Sequence, residues 1–303
     1  MKRLQPPNAI AIQSVARLPD GVETFHRNVS TWGQIIFGHP LKSKRCLFDL
    51  LMTYCLGILT SAGLVMAADS RTNAGVDYVS THQKLFNFSL PGERVILLCT
   101  SGNLSVTQSV LTLLKRDIKV QEPINLHTLP NLYEIARYIG GKTRQIQEQD
   151  RSWLEKDRID FKCTFLLGGQ IRGEEPELYM IYSQGNCIQA SRETPFLQIG
   201  EAKYGKPILD RVLNFDTSLE AAAKCALLSI DSTMKSNISV GPPINVVMYE
   251  ADSFKIRYEL RLDRGAPYLA QIRRFWEGHL NEAFERMPNI DWDQSSESDQ
   301  DNP

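Results

Sequence analysis

A threonine, an aspartate and a lysine, Thr53, Asp69 and Lys84, stand at offsets that fit two adjacent antiparallel hairpins. A threonine hydroxyl is a poor nucleophile at neutral pH and needs a base. An N-terminal threonine brings its own, because a free α-amine has a pKa of about 8. An ammonium beside that amine keeps its neutral form available, and a carboxylate beside the ammonium fixes it in place. Attack on a carbonyl also needs a backbone N–H to hold the oxyanion. Gly102, in Thr100-Ser101-Gly102 at the end of an apolar run, is the candidate donor. These residues together point to amide hydrolysis with Thr53 at the chain terminus. Singly, each has a plain structural reading: a strand threonine, a turn aspartate, a surface lysine. The specificity lies in the combination.

The elements that must position these groups are written as apolar runs and turn residues. Stretches 53–59 and 64–69 read as strands buried on both faces, joined by a turn at Ser61-Ala62-Gly63. Asn73-Ala74-Gly75 marks a second turn, before short strands over 76–80 and 84–88. Pro91-Gly92 leads into a strong strand over 94–100. Helices follow over 103–115, with Ser101 and Asn103 as candidate caps, and over 132–149, with Gly140-Gly141 as a kink or close-packing point. Strands are expected over 162–167, 177–182 and 186–190, with turns at Gly168-Gly169 and at Gln184-Gly185-Asn186. Helices over 203–213 and 218–234, then strands over 246–249 and 256–262, lead to an amphipathic helix over 268–287. Its stripe of Leu269, Ile272, Trp276, Leu280, Ala283 and Met287 reads either as core-facing or as a subunit contact. Strands, two helices, strands, two helices, strands predict an α+β fold, a four-layer αββα sandwich with two antiparallel sheets between helix layers.

Hydrophobic residues make up 42% of the 303 and charged residues 23%, enough for one large domain with a full core. A formal net charge of −1 gives no basis for a nucleic-acid surface. The five histidines are scattered and the six cysteines form no CxxC motif, so neither a metal nor another cofactor is expected. Cys55, Cys99 and Cys163 lie in apolar runs, as small hydrophobes of a reducing, cytoplasmic compartment do. Lys42-Ser43-Lys44-Arg45 before the apolar stretch 46–68 has the look of an export signal. Asp49 within that stretch argues against membrane insertion, since a charge at the centre of a bilayer helix costs about 2.5–3.5 kcal/mol. Residues 1–52 mix prolines with basic residues and show no sustained period, so they read as a weakly structured N-terminal extension. Residues 291–303 are acidic and serine-rich, and are expected to be disordered. That leaves 53–290 as the domain.

Thr53-Tyr54-Cys55-Leu56-Gly57, Ala67-Ala68-Asp69-Ser70-Arg71 and Lys84 together resemble the N-terminus of proteasome β-type subunits. Three further blocks bring the likeness nearer to Anbu, the bacterial proteasome-related family. They are Ser70-Arg71-Thr72-Asn73-Ala74-Gly75, Gly200-Glu201-Ala202-Lys203-Tyr204-Gly205-Lys206-Pro207 and Ser236-Asn237-Ile238-Ser239-Val240-Gly241-Pro242. The resemblance implies an N-terminal-nucleophile hydrolase. Thr53 would be nucleophile and, through its amine, base; Lys84 would tune that amine, Asp69 would orient Lys84, and Gly102 would supply the oxyanion N–H. Arg71, Glu201, Ser236 and Ser239 are candidate substrate-binding or supporting residues. Proteasome subunits place a serine in a glycine-rich turn where this chain has Glu201, and Ser236-Asn237-Ile238-Ser239 replaces an Asp-x-x-Ser/Thr-Gly motif. Both departures set the chain apart from ordinary proteasome-like peptidases. The block 200–207 also reads as a helix start, with Glu201 near the positive end of its dipole.

The chemistry requires Thr53 to be terminal. Proteasome-type propeptides typically end in glycine, whereas Leu51-Met52 precedes Thr53 here. The first expectation is therefore that Met52 is the initiator and 1–52 an upstream extension of the reading frame; a cleaved propeptide is the second. The resemblance further implies self-association into a ring or helical assembly, and a peptide or other amide as substrate. No GxxxxGK[ST] motif occurs, so any ATPase partner would be a separate chain. The alternative reading, from a different class, is a non-catalytic ring-forming scaffold on the same fold.

Overall fold

A computed structural model of the chain describes residues 53–73, 79–157, 159–290 and 292. The extension over 1–52, most of the Asn73-Ala74-Gly75 turn with residues 76–78, and nearly all of the acidic tail lie outside the described residues. Strands β1 (Tyr54–Thr60) and β2 (Gly63–Asp69) form a hairpin about Ser61-Ala62, and every residue of both is buried. Short β3 (Arg71–Asn73) and β4 (Val79–Thr81) pair with each other, and β5 (Leu85–Asn87) lies against β6 (Arg94–Gly102). After helices α1 (Leu104–Lys119) and α2 (Leu132–Lys156) come β7 (Cys163–Ile171), β8 (Glu177–Ile181), β9 (Cys187–Gln189) and β10 (Phe196–Gly200). Helices α3 (Lys206–Val212) and α4 (Leu219–Ser236), strands β11 (Ile244–Glu250) and β12 (Tyr258–Leu262), and helix α5 (Pro267–Glu285) complete the order.

The strands form two antiparallel five-stranded sheets, ordered β10-β1-β2-β11-β12 and β5-β6-β7-β8-β9. Two-sided burial follows from their placement. Cys55, Leu64, Met66, Leu97, Cys99 and Leu166 belong to the apolar layer between the sheets. The outer face of one sheet packs Leu98 and Phe165 against Val110 and Leu114 of α1 and Ile135 and Ile139 of α2. The outer face of the other packs Leu56 and Val246 against Leu209 of α3 and Ala226 and Ile230 of α4. This is the αββα order expected from the pattern of elements.

Three helices start on side-chain caps, of which Asn103 is the one expected from the sequence. The side chain of Asn103 accepts the Val106 N–H, that of Asn131 the Glu134 N–H, and that of Ser218 the Ala221 N–H. Helix α2 runs on to Lys156 through a polar run in which no helix was expected; Ile146 and Gln147 keep one face buried, while Glu148, Arg151 and Glu155 pair on the other. The helix passes straight through Gly140-Gly141. Gly140 is the close-packing point, because a Cβ there would lie 2.2 Å from the Gly185 carbonyl oxygen.

Other elements also differ from expectation. Strand β10 was not foreseen, and Gly168-Gly169 is no turn but the middle of β7. Gly168 faces the Met66 sulfur across the sheet interface, with an ideal Cβ 2.9 Å from it. Gly169 lies over the neighbouring strand, where a Cβ would stand 2.0 Å from the Val95 carbonyl oxygen. Both are glycine for proximity rather than for turning. Gly169→Ala is therefore expected to destabilise the fold by about 1–3 kcal/mol, lowering Tm by several degrees. Gly278→Ala, in open space on α5, is expected to leave Tm level or raise it. Calorimetry on the two variants checks the pair.

Candidate active site

The hairpin register does most of the positioning. Thr53 immediately precedes β1 and is 7% exposed. Its carbonyl oxygen accepts the Glu201 N–H at 2.7 Å, just past the end of β10. Gly200, at φ +83°, makes this approach possible, since a Cβ there would sit 1.9 Å from the Thr53 oxygen. One step along β1, the Tyr54 N–H donates to Asp69 Oδ1 at 3.0 Å. Asp69 is the last residue of β2 and is wholly buried. Its Oδ1 also receives Lys84 Nζ at 2.8 Å, while Oδ2 accepts the Gly241 N–H at 3.0 Å and the Arg71 N–H at 3.2 Å.

Lys84 enters from the opposite sheet. It immediately precedes β5, and its carbonyl oxygen takes the Thr100 N–H at 2.9 Å. Its ammonium crosses to Asp69 and to the Arg71 carbonyl oxygen at 2.5 Å. The pair therefore joins the two sheets at the end where Thr53 begins β1. Burial leaves the Asp69 carboxyl above its ordinary value, an upward shift that the Lys84 ammonium and the N–H groups of Tyr54 and Gly241 offset only in part. Nearby thiols offer no rival nucleophile. Burial pushes Cys55 well up, and takes Cys163 to about 12, so both stay as inert thiols at neutral pH.

Gly102 closes β6 at φ +100° and is exposed. The Phe88 N–H to Ile96 bond and the Thr100 N–H to Lys84 bond show that even-numbered residues of β6 face β5. Strand alternation thus turns the Gly102 N–H to the same side, past Lys84, where the chain at His82 has already turned away to Ser70. Thr53, Asp69 and Lys84 thus meet at one end of the sandwich, and Gly102 ends β6 two residues beyond the Thr100 that bonds Lys84.

The supporting residues divide. Arg71 donates from Nη1 to the Ile238 carbonyl at 2.6 Å and lies against Gly241, where a Cβ would be 2.3 Å from its guanidinium carbon. It ties loop 237–241 to the end of β2. Ser239 is buried in that loop, and its N–H donates to Asn237 Oδ1 at 2.9 Å. Ser236 is not brought to the cluster: it ends α4 exposed, with no hydrogen bond to the other site residues among those described. Asn237 takes that place, donating from Nδ2 to Glu201 Oε2 at 3.2 Å. Glu201 is 7% exposed, and its Oε1 is buried with no hydrogen-bond partner among the described residues. It does not stand in the first turn of a helix, because α3 begins only at Lys206. Asn237 carries no signal of its own in the sequence, because its partner Glu201 lies 36 residues away. Ser101, buried with its Oγ 3.3 Å from where a Gly200 Cβ would be, was read only as a helix cap.

Among the described residues no three His, Cys, Asp or Glu side chains converge as metal ligands, and no helix is long and apolar enough to cross a membrane. A family model described as "Proteasome subunit" matches residues 53–249. Proteasome subunit beta 2 of Pyrobaculum islandicum is 25% identical over 215 residues, 67% of this chain and 94% of that protein. Proteasome subunit beta of Haloquadratum walsbyi is 25% identical over 206 residues, 67% of this chain and 76% of that protein. Among solved structures, Anbu (ancestral beta-subunit) from Yersinia bercovieri is 46% identical, with a TM-score of 0.75 over 79% of this chain and 99% of its own. The helical assembly of the Anbu complex from Pseudomonas aeruginosa is 45% identical, with a TM-score of 0.76 over the same shares.

Proposed function

The chain belongs to the proteasome-subunit family, with Anbu proteins among its structural relatives, and from that premise we propose that Thr53 is the nucleophile of an amide hydrolase. The observation that carries the proposal is the buried Lys84–Asp69 pair, one peptide bond away from Thr53. With Thr53 terminal, its neutral amine takes the Oγ proton as Oγ attacks the substrate carbonyl carbon. The oxyanion forms within reach of the Gly102 N–H. Collapse expels the amine half of the substrate, which leaves with the proton held by the Thr53 ammonium. The remaining Thr53 ester is then hydrolysed by water, with the same amine as base. The Lys84 charge favours the neutral amine throughout, and Asp69 prevents Lys84 from swinging away.

The substrate is a peptide or another amide. Self-association goes with this reading: a relative of similar sequence is described as a helical assembly, and proteasome subunits work as assemblies. The test is intact mass before and after treatment with a peptide boronate, which adds to an activated hydroxyl. Protein that begins at Thr53 should take up one boronate per chain, and Thr53→Ala none. Hydrolysis by a chain still carrying residues before Thr53 would assign the nucleophile elsewhere. A Thr53 terminus with neither adduct nor turnover would leave the scaffold reading in its place.

A further inference from the structure

We propose that Glu201 is the anchor of the Thr53 terminal amine: its Oε1 accepts a hydrogen bond from that amine once Thr53 is terminal, while Asn237 holds Oε2. This rests on the reading of Thr53 as a terminal nucleophile and names a positioning residue for it. The β1–β10 register pairs Tyr54 with Gly200, and one further step sets Thr53 opposite Glu201. The Glu201 N–H to Thr53 carbonyl bond, at 2.7 Å, holds that pairing. Residues directly opposite in an antiparallel pair have Cβ atoms about 4.5–5.5 Å apart, within reach of a glutamate side chain.

The carboxylate is built in rather than left over. It is 93% buried, and Asn237 fixes one oxygen while its own Oδ1 is fixed by the Ser239 N–H. The other oxygen is buried without a donor among the described residues, an arrangement native structures rarely leave unexplained. A peptide nitrogen at Thr53 has a single N–H; a terminal amine has two, and its ammonium form three. Freeing Thr53 therefore creates donors opposite the acceptor that lacks one. The bond also orients the amine, so that its lone pair is held towards Oγ rather than rotating freely.

The charged and titratable groups around Thr53 come from each neighbouring element. Asp69 on β2 and Glu201 after β10 are negative, and Lys84 before β5 is positive. Cys55 on β1 and Cys99 on β6 are buried thiols. The Arg71 guanidinium is turned to Ile238 and Val240. Glu201 thus favours the ammonium where Lys84 opposes it, and removing the Glu201 charge should free the neutral amine at lower pH.

The measurement is the pH dependence of acylation of the Thr53 amine, followed by mass spectrometry of the N-terminal peptide. It uses protein beginning at Thr53 and its Glu201→Gln and Glu201→Asp variants. The midpoint should fall by about one pH unit in Glu201→Gln and return most of the way in Glu201→Asp, which keeps the charge. Equal midpoints in all three overturn the anchor. Hydrolysis, measured on the same samples against Thr53→Ala, separates the two ideas. Equal midpoints with Thr53-dependent hydrolysis sink Glu201 alone; a shifted midpoint without hydrolysis sinks the nucleophile alone. If Glu201→Gln does not fold, Glu201→Ala, which also removes the charge, takes its place, and no downward shift there overturns the anchor.

Discussion

Thr53→Ala is expected to lower amide hydrolysis by about 10⁴-fold or more, while Tm stays within a few degrees of the parent protein. The two halves of that expectation have separate grounds. Catalysis falls because the only hydroxyl that shares a residue with its base is removed, and water lacks the proximity that an attached amine supplies. Stability holds because the bonds that seat residue 53 are made by the backbone: the Thr53 carbonyl accepts from Glu201, and the Tyr54 N–H donates to Asp69. Alanine retains both. Thr53→Ser keeps the hydroxyl and should retain a measurable fraction of the rate. Parallel turnover and calorimetry on the three proteins check this. A Thr53→Ala enzyme with parental turnover would remove Thr53 from the chemistry, whatever the fold.

The meeting of Thr53, Asp69 and Lys84, the proposed reacting set, was legible in the sequence because it is fixed by hairpins. Thr53 and Asp69 flank a two-stranded unit whose turn is marked by Ser61-Ala62-Gly63, so their meeting follows from register alone. Lys84 needed one more assumption, that the chain returns to the same end, and the Thr100–Lys84 backbone bond supplies it. What the sequence concealed were contacts between elements far apart in the chain. Gly168-Gly169 carries the same letters as a turn; the close approach of Val95 and Met66 that demands glycine there is a property of the folded sandwich. Strand β10 is a short apolar run after Pro195 with little alternation, and it gains its identity only by pairing with β1. Asn237 lies in a loop with no period, and its meaning depends on Glu201, 36 residues away. Periodicity reports which face a residue takes, not which distant loop it will touch.

Breaking the buried pair between the sheets is expected to cost more stability than any other single change considered for this site. Lys84→Met leaves Asp69 wholly buried without its counter-ion, although three backbone N–H groups still serve it. Removing one partner of a buried pair typically costs about 3–5 kcal/mol, so Tm should fall by roughly 10 °C or more. Asp69→Asn should be at least as damaging, because the new amide group is itself a donor facing the donors that Asp69 accepted. The double variant Asp69→Asn with Lys84→Met carries no charge at all in this position. Replacing both members of a buried pair is often close to neutral, so the double variant should recover part of the Tm lost by Lys84→Met. Hydrolysis should not recover with it, since the terminal amine then lacks the positive neighbour that keeps it neutral. Four proteins, each measured for Tm and turnover, thus separate what the pair does for the fold from what Lys84 does for the amine. If turnover returned together with stability in the double variant, Lys84 would be a brace between the sheets and nothing more.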